Sequence, residues 1–288
     1  MPVLHRSRPA MASTFELILS GDDPEHLDAV ASEALEEVGR VERLLSRHDP
    51  AAEVARLNRD AAVGPVLVDV ELFDVLRDCL DWSRRTGGAF DPCAPTGRIL
   101  EDLRIEAGRR AVRFGAPGAR IDLGAYGKGY AVDRAADRVA SYGVAAMLQV
   151  GTSSARGLGS NAGGRPWVVA LRDPFAEPPA MATVDRFVLT DRALSCSAVF
   201  GPGSGRSDLL DPVTGSPLER PAACAVIADT ATEAEVLSTA LLVMGRERAR
   251  EFVSGTAAGR PAPRVAWIEQ VDGTTVVEWW APTLERIR

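Results

Sequence analysis

Lys128 is the only lysine among the 33 Lys and Arg residues of the chain. Arginine therefore serves wherever a generic cation suffices. The retained lysine points to a need for a compact ammonium on a flexible stem, which a planar guanidinium does not mimic. It lies in IDLGAYGKGYAVD, residues 121–133, where an expected strand gives way to glycines and then to a helix. That order aims backbone N–H groups and a helix N-terminus at one point, an arrangement suited to a phosphate. The glycines stand at 124, 127 and 129, so neither the Walker pattern nor G-x-G-x-x-G is present. An ordinary tight connection has the same appearance.

Three further segments carry residues fit for chemistry. In TATEAEVLSTALLVMG, residues 230–245, Glu235 and Thr239 are four apart and share one helical face. A carboxylate and a hydroxyl so placed could hold Mg²⁺, a hard ion that prefers oxygen ligands. A solvated Glu235 and a packed Thr239 fit the pattern equally. In SDLLDPVTGSP, Asp208 and Asp211 flank two leucines ahead of an Asp-Pro/Thr-Gly turn. In TGGAFDPCAP, Asp91 starts a similar turn beside an aromatic residue.

The elements that must position these residues follow from periodicity and punctuation. Residues 12–20 read as a strand. Asp23-Pro24 starts a helix whose apolar positions, from Leu27 to Leu45, recur at helical spacing to about Ser46. RHDPAAEVARLNR is expected as a loop, and a second helix covers roughly 70–86, ending at Gly87-Gly88. Short strands are expected at 111–114 and 120–123. The glycine turn then leads into a helix from about 129 to 142. Strands at 145–150, 167–171, 187–190 and 222–228 precede a helix from 231 to about 244, and strands near 265–269 and 275–279 close the chain. This is an α+β pattern: one domain over residues 1–288, with long helices packed on a largely antiparallel sheet.

Composition narrows the function classes. A hydrophobic fraction of 46% and a charged fraction of 25% are those of a soluble globular protein. No apolar run approaches the ~20 residues of a membrane span. The net charge of −7, with scattered basic residues, argues against a nucleic-acid partner. Four cysteines without a CxxC argue against zinc or thiol-redox chemistry. The N-terminus shows neither an apolar leader core nor a cysteine for a lipid anchor, so a cytoplasmic location is expected.

Taken in order, the segments resemble the FAD:protein FMN transferase family, also called the ApbE or thiamine-biosynthesis lipoprotein family. MASTF (11–15) resembles its MGTxF, and SRHDPAAEVARLN (46–58) its S-x-Y-x-P-x-S-E-x-S-R-x-N. GGAFDPCAP resembles GGxFDPTxGP, DLGAYGKGYAVD resembles DLGGIAKGYAVD, DLLDPVTG resembles HIIDPRTG, and AEVLSTALLVMG resembles A-D-A-L-S-T-A-L-F-V-x-G. The resemblance implies an ApbE-like, T-fold-related architecture. It also implies Mg²⁺-dependent transfer of FMN from FAD to a Thr or Ser of an acceptor flavoprotein, with release of AMP. By carry-over, Gly127 (through its carbonyl), Glu235 and Thr239 would hold Mg²⁺. Met11, Phe15, His48, Asp91, Asp122, Gly124, Lys128 and Thr152 would contact FAD, and Asp208, Lys128 and Asp211 would serve catalysis.

The departures fall within that implied site. Asp208 replaces the family's histidine, and a carboxylate with an ordinary pKa of about 4 is a weak base. Glu235 replaces an aspartate, His48 a tyrosine, VGTSS (150–154) the N-A-G-G-D segment, and Cys196-Ser197-Ala198 a T-S-G. An FAD-binding protein without transfer chemistry and an FAD pyrophosphatase yielding FMN and AMP are the alternatives.

Overall fold

The computed structural model describes residues 2–93, 99–176, 182–200, 209–255 and 263–280. The chain opens with a hairpin of β1 (Val3–Ala10) and β2 (Ser13–Ser20), followed by α1 (Pro24–Leu45) and α2 (Glu53–Asp60). Then come β3 (Val66–Leu67), α3 (Val70–Arg85), α4 (Ile99–Asp102), β4 (Leu103–Glu106) and β5 (Ala111–Phe114). Helix α5 (Gly124–Ser141) leads to β6 (Ala145–Val150), β7 (Ser154–Leu158), β8 (Trp167–Arg172), β9 (Thr183–Leu189), β10 (Arg192–Val199) and β11 (Ala222–Ala228). Helices α6 (Ala231–Met244) and α7 (Arg246–Gly255) precede β12 (Arg264–Val271) and β13 (Thr274–Trp280).

Eight strands form one antiparallel sheet in the order β1-β2-β6-β7-β10-β11-β12-β13. Helices α1, α5 and α6 cover one face. The β8–β9 ribbon covers part of the other, with Val169, Leu171, Phe187 and Leu189 packed on Met147, Ala225 and Ile227. Strand β11 is buried along its whole length because its side chains alternate between these two cores: Cys224 and Val226 face the helices, while Ala223 and Ala225 face the ribbon. A separate three-stranded sheet, β3-β5-β4, completes the α+β architecture.

Local chemistry explains the main helices. Asp23 caps α1 by accepting from the amides of Glu25 and His26, at 3.0 and 3.2 Å, with Pro24 in the first turn. Thr230 caps α6 by accepting from the Glu233 amide at 3.1 Å. Helix α6 is buried on nearly all sides from Ala231 to Leu242, as a central helix must be.

Three expectations need correction. The expected loop after α1 contains α2, whose apolar face is only Val54 and Leu57, too few to announce a period. Residues 120–123 are not a paired strand, because Ile121 donates to and accepts from the Asn58 side-chain amide, at 2.7 and 2.8 Å. The glycine segment is not a turn ahead of the helix: α5 begins at Gly124, so Gly127, Lys128 and Gly129 are already helical.

Candidate functional site

The site is built where α5 meets α6. A Cβ on Gly129 would lie 2.5 Å from the Ala231 carbonyl oxygen, so glycine is what lets the two helices approach. One turn on, Asp133 accepts from the amides of Ala231 and Thr232, both at 2.8 Å, and from the Thr232 hydroxyl at 2.6 Å. It also pairs with Arg156 of β7. These contacts fix α6 against α5 and satisfy donors that a helix N-terminus leaves open.

In that register Lys128 faces Glu235, with Nζ 3.0 Å from Oε1. The Glu235 side chain is 5% exposed and that of Lys128 30%. The remaining oxygen of Glu235, Oε2, is buried without a hydrogen-bond partner. Burial pushes the Glu235 carboxyl above the ordinary range, against the opposing pull of the Lys128 charge and the Gly129 amide. A buried, unpartnered acidic oxygen is a position that a cation would satisfy. Thr239 lies one turn along α6, also buried, with Oγ1 3.3 Å from Ser197 Oγ on β10. Among the described residues no three His, Cys, Asp or Glu side chains gather as a metal cluster. The oxygens gathered here, a Glu235 carboxylate oxygen and the Thr239 hydroxyl, are of the hard kind that Mg²⁺ accepts.

A connected path runs outward from Lys128. Its Nζ reaches the Gly124 carbonyl at 3.4 Å, and the Gly124 amide donates to Asp122 Oδ1 at 3.0 Å. Asp122 Oδ2 pairs with Arg47 Nη1 at 3.1 Å, and Arg47 Nε donates to His48 Nε2 at 3.2 Å. His48 itself is exposed. Gly127 is buried in the same turn, but a Cβ there would meet only Leu45 Cδ1, at 3.7 Å, so packing alone does not demand glycine.

Met11, Phe15 and Thr152 cluster at one end of the sheet. Met11 and Ala12 form the β1–β2 turn with φ of 51° and 55°, and the Met11 amide donates to Glu42 Oε1 at 2.6 Å. Phe15 is buried and pairs with Val150, two residues before the exposed Thr152. Asp91 is half-buried and uses both oxygens locally, accepting from the amides of Cys93 at 2.7 Å and Ile99 at 2.9 Å. Burial raises its carboxyl pKa despite those two bonds. The neighbouring Pro92 carbonyl accepts from the Asp122 amide at 2.7 Å, which ties this loop to the Lys128 path. Asp211 serves its own turn, with Oδ1 accepting from the amides of Val213 and Thr214 at 2.7 and 3.2 Å. Asp208 lies outside the described residues.

The structure adds residues that sequence reasoning passed over. Asp133 ends the lysine-bearing motif, four residues after Gly129 and so on the face of α5 that meets α6. Nothing in sequence links Asn58 to Ile121 or Arg156 to Asp133, because those contacts are made only by the tertiary fold. An open groove of about 460 Å³ beside Arg85, Met244, Arg248 and Phe252 holds none of these residues.

The comparisons agree with this architecture. The FAD:protein FMN transferase of Salmonella typhimurium is 28% identical over 248 residues, covering 73% of this chain and 69% of that protein. That of Treponema pallidum is 28% identical over 269 residues, covering 76% and 74%. The structure of the flavin transferase ApbE from Vibrio cholerae superposes with a TM-score of 0.81 at 23% identity, over 97% of this chain and 98% of that one. The ApbE protein of Thermotoga maritima does so with a TM-score of 0.82 at 22% identity, over 97% of each chain. At such identities the structures speak for the fold. The family model for the ApbE family matches residues 11–260, and on that span the chain belongs to the ApbE family.

Proposed function

We propose that this protein transfers FMN from FAD to a Thr or Ser hydroxyl of an acceptor flavoprotein, releasing AMP, with Mg²⁺ bound by Glu235, Thr239 and the Gly127 carbonyl. The observation that carries the reading is the buried, unpartnered Oε2 of Glu235 beside Lys128 and Thr239, in a chain of this family. In the reaction the acceptor oxygen bonds to the phosphorus of the FMN half. The bond from that phosphorus to the bridging oxygen breaks, AMP leaves with that oxygen, and the hydroxyl proton passes to a base. Bound Mg²⁺ would neutralise charge building on the pyrophosphate.

The chain's own residues do the rest. Lys128 brings a mobile positive charge to the phosphates, and Asp122 with Gly124 fixes the start of α5 beside it. Met11, Phe15, His48, Asp91 and Thr152 would line the flavin and nucleotide. Asp208 takes the base role of the family histidine, and Asp211 shapes the turn that follows in the chain. The matching of acceptor and phosphate in one place is the source of rate, since charge stabilisation and alignment dominate phosphoryl transfer.

The test is chromatography of FAD, FMN and AMP after incubation with Mg²⁺, with and without a Thr-containing acceptor domain. AMP released only with both Mg²⁺ and acceptor is the expected result. Release without acceptor would instead make the protein a pyrophosphatase, and intact bound FAD a binding protein. Lys128→Ala should lower AMP release about hundredfold in a chain that still folds, with a lower thermal midpoint because Glu235 loses its paired charge. A variant that unfolds would assign Lys128 to structure.

A further inference from the structure

Thr239 does not stand alone. Its Oγ1 is 3.3 Å from Ser197 Oγ, and Ser197 Oγ is 2.8 Å from Ser238 Oγ. Ser238 is fully buried, and its hydroxyl donates to the Glu235 carbonyl at 3.1 Å, with Ser195 Oγ as a second acceptor at 3.4 Å. A carbonyl only accepts, and a serine hydroxyl has one proton to give. A Ser238 proton given to the Glu235 carbonyl leaves Ser197 as the donor in the short Ser197–Ser238 contact, where the heavy-atom geometry allows either hydroxyl to donate. Ser197 then has no proton left for Thr239, and Thr239 is the donor in the contact between them. With the carbonyl as the final acceptor, the row runs from Thr239 through Ser197 to Ser238.

The consequence falls on the cation site. A hydroxyl whose proton is drawn toward Ser197 turns its lone pairs elsewhere, and on Thr239 those lone pairs are what a hard cation requires. We propose that Ser197 and Ser238 are positioning residues that hold the Thr239 hydroxyl as a lone-pair donor toward the cation. This rests on the reading of Glu235 and Thr239 as cation ligands. Ser238 sits one residue before Thr239 on α6. It acts through Ser197, across the interface between α6 and β10. Outer partners of this kind orient ligands in metal sites generally, and their loss weakens metal binding by one to two orders of magnitude.

The experiment is Mn²⁺ titration of the substrate-free protein, with free metal followed by electron paramagnetic resonance and folding checked by thermal unfolding. Glu235→Gln tests the underlying reading and should abolish tight binding. Ser238→Ala removes the proton acceptor for Ser197 and should weaken Mn²⁺ about tenfold. Ser197→Ala should do the same, while Ser197→Thr, which keeps the hydroxyl, should stay close to the wild type. If Ser238→Ala fails to fold, the contrast between the two Ser197 variants carries the test. Binding that is lost in Glu235→Gln but unchanged in both serine-to-alanine variants overturns the proposal and leaves the cation site standing. No Mn²⁺ binding by the wild type, or binding indifferent to Glu235→Gln, removes the cation site and the proposal with it.

Discussion

At Ala12 the backbone holds φ of 55°, beside Met11 at 51°. Paired positive φ values are what a tight two-residue hairpin turn requires, and glycine or asparagine usually supplies them. An L-residue with a Cβ costs roughly 1–2 kcal/mol in this region. The Met11 amide, held by Glu42 at 2.6 Å, keeps the turn in place. Ala12→Gly should therefore raise stability by about 1 kcal/mol in chemical denaturation. An unchanged or lower stability would mean that the turn is relaxed by other contacts. At this scale the sequence was informative about Lys128, Glu235 and Thr239, because a sole lysine and an i, i+4 pair are visible in one dimension. It gives no sign of the partners of Asn58, Arg156 and Ser197, which lie 63, 23 and 41–42 residues away.

Helices and strands were legible in proportion to their periodicity. Helix α1 is readable from its apolar stripe and its Asp-Pro start, and the helix expected from 231 to about 244 is α6, Ala231–Met244. Strand β1 is not readable, since an edge strand carrying His5, Arg6, Arg8 and Pro9 has no alternation to read and is paired on one side only. The start of α5 was misplaced because glycine signals a turn, whereas here Gly129 meets a packing need. The join between α5 and α6 hangs on Asp133, whose side chain is 13% exposed opposite an Arg156 that is 15% exposed. Asp133→Ala strands a buried guanidinium and leaves the Ala231 and Thr232 amides without their acceptor, and should cost about 3–5 kcal/mol in equilibrium unfolding. A loss below 1 kcal/mol would show that α6 is held chiefly by its apolar contacts.

Across the whole molecule, α1, α3 and α5 are braced by charge. Arg40 binds Glu37 at 2.7 Å and Glu71 at 2.6 Å, Arg134 reaches both glutamates, and the Tyr130 hydroxyl donates to Glu71 at 2.8 Å. Hydrogen bonding to Arg40 is the main cause that holds both carboxyls below the ordinary carboxylate range, against the opposing effect of burial. A lowered folded pKa means that the unfolded chain takes up protons first. The stability from this brace is thus present above the unfolded value near 4.5 and is lost as pH falls through the lower folded values. Replacing Arg40 by Met should reduce stability at neutral pH and flatten its fall as pH drops below the unfolded carboxylate value. A wild-type acid limb retained in that variant would place the titration elsewhere.

The helical layer so braced presents α5 and α6 as one unit, and with them Lys128, Glu235 and Thr239. The proposal of FMN transfer rests on the unpartnered Glu235 oxygen in that union and on membership of the ApbE family. The most direct measurement is the intact mass of a Thr-containing acceptor domain after incubation with FAD, Mg²⁺ and this protein. The acceptor should gain one FMN moiety through a phosphoester bond. AMP should appear in equal amount, and the gain should vanish in Glu235→Gln. An acceptor of unchanged mass, with FAD either intact or split to free FMN and AMP, would rule out FMN transfer by this protein.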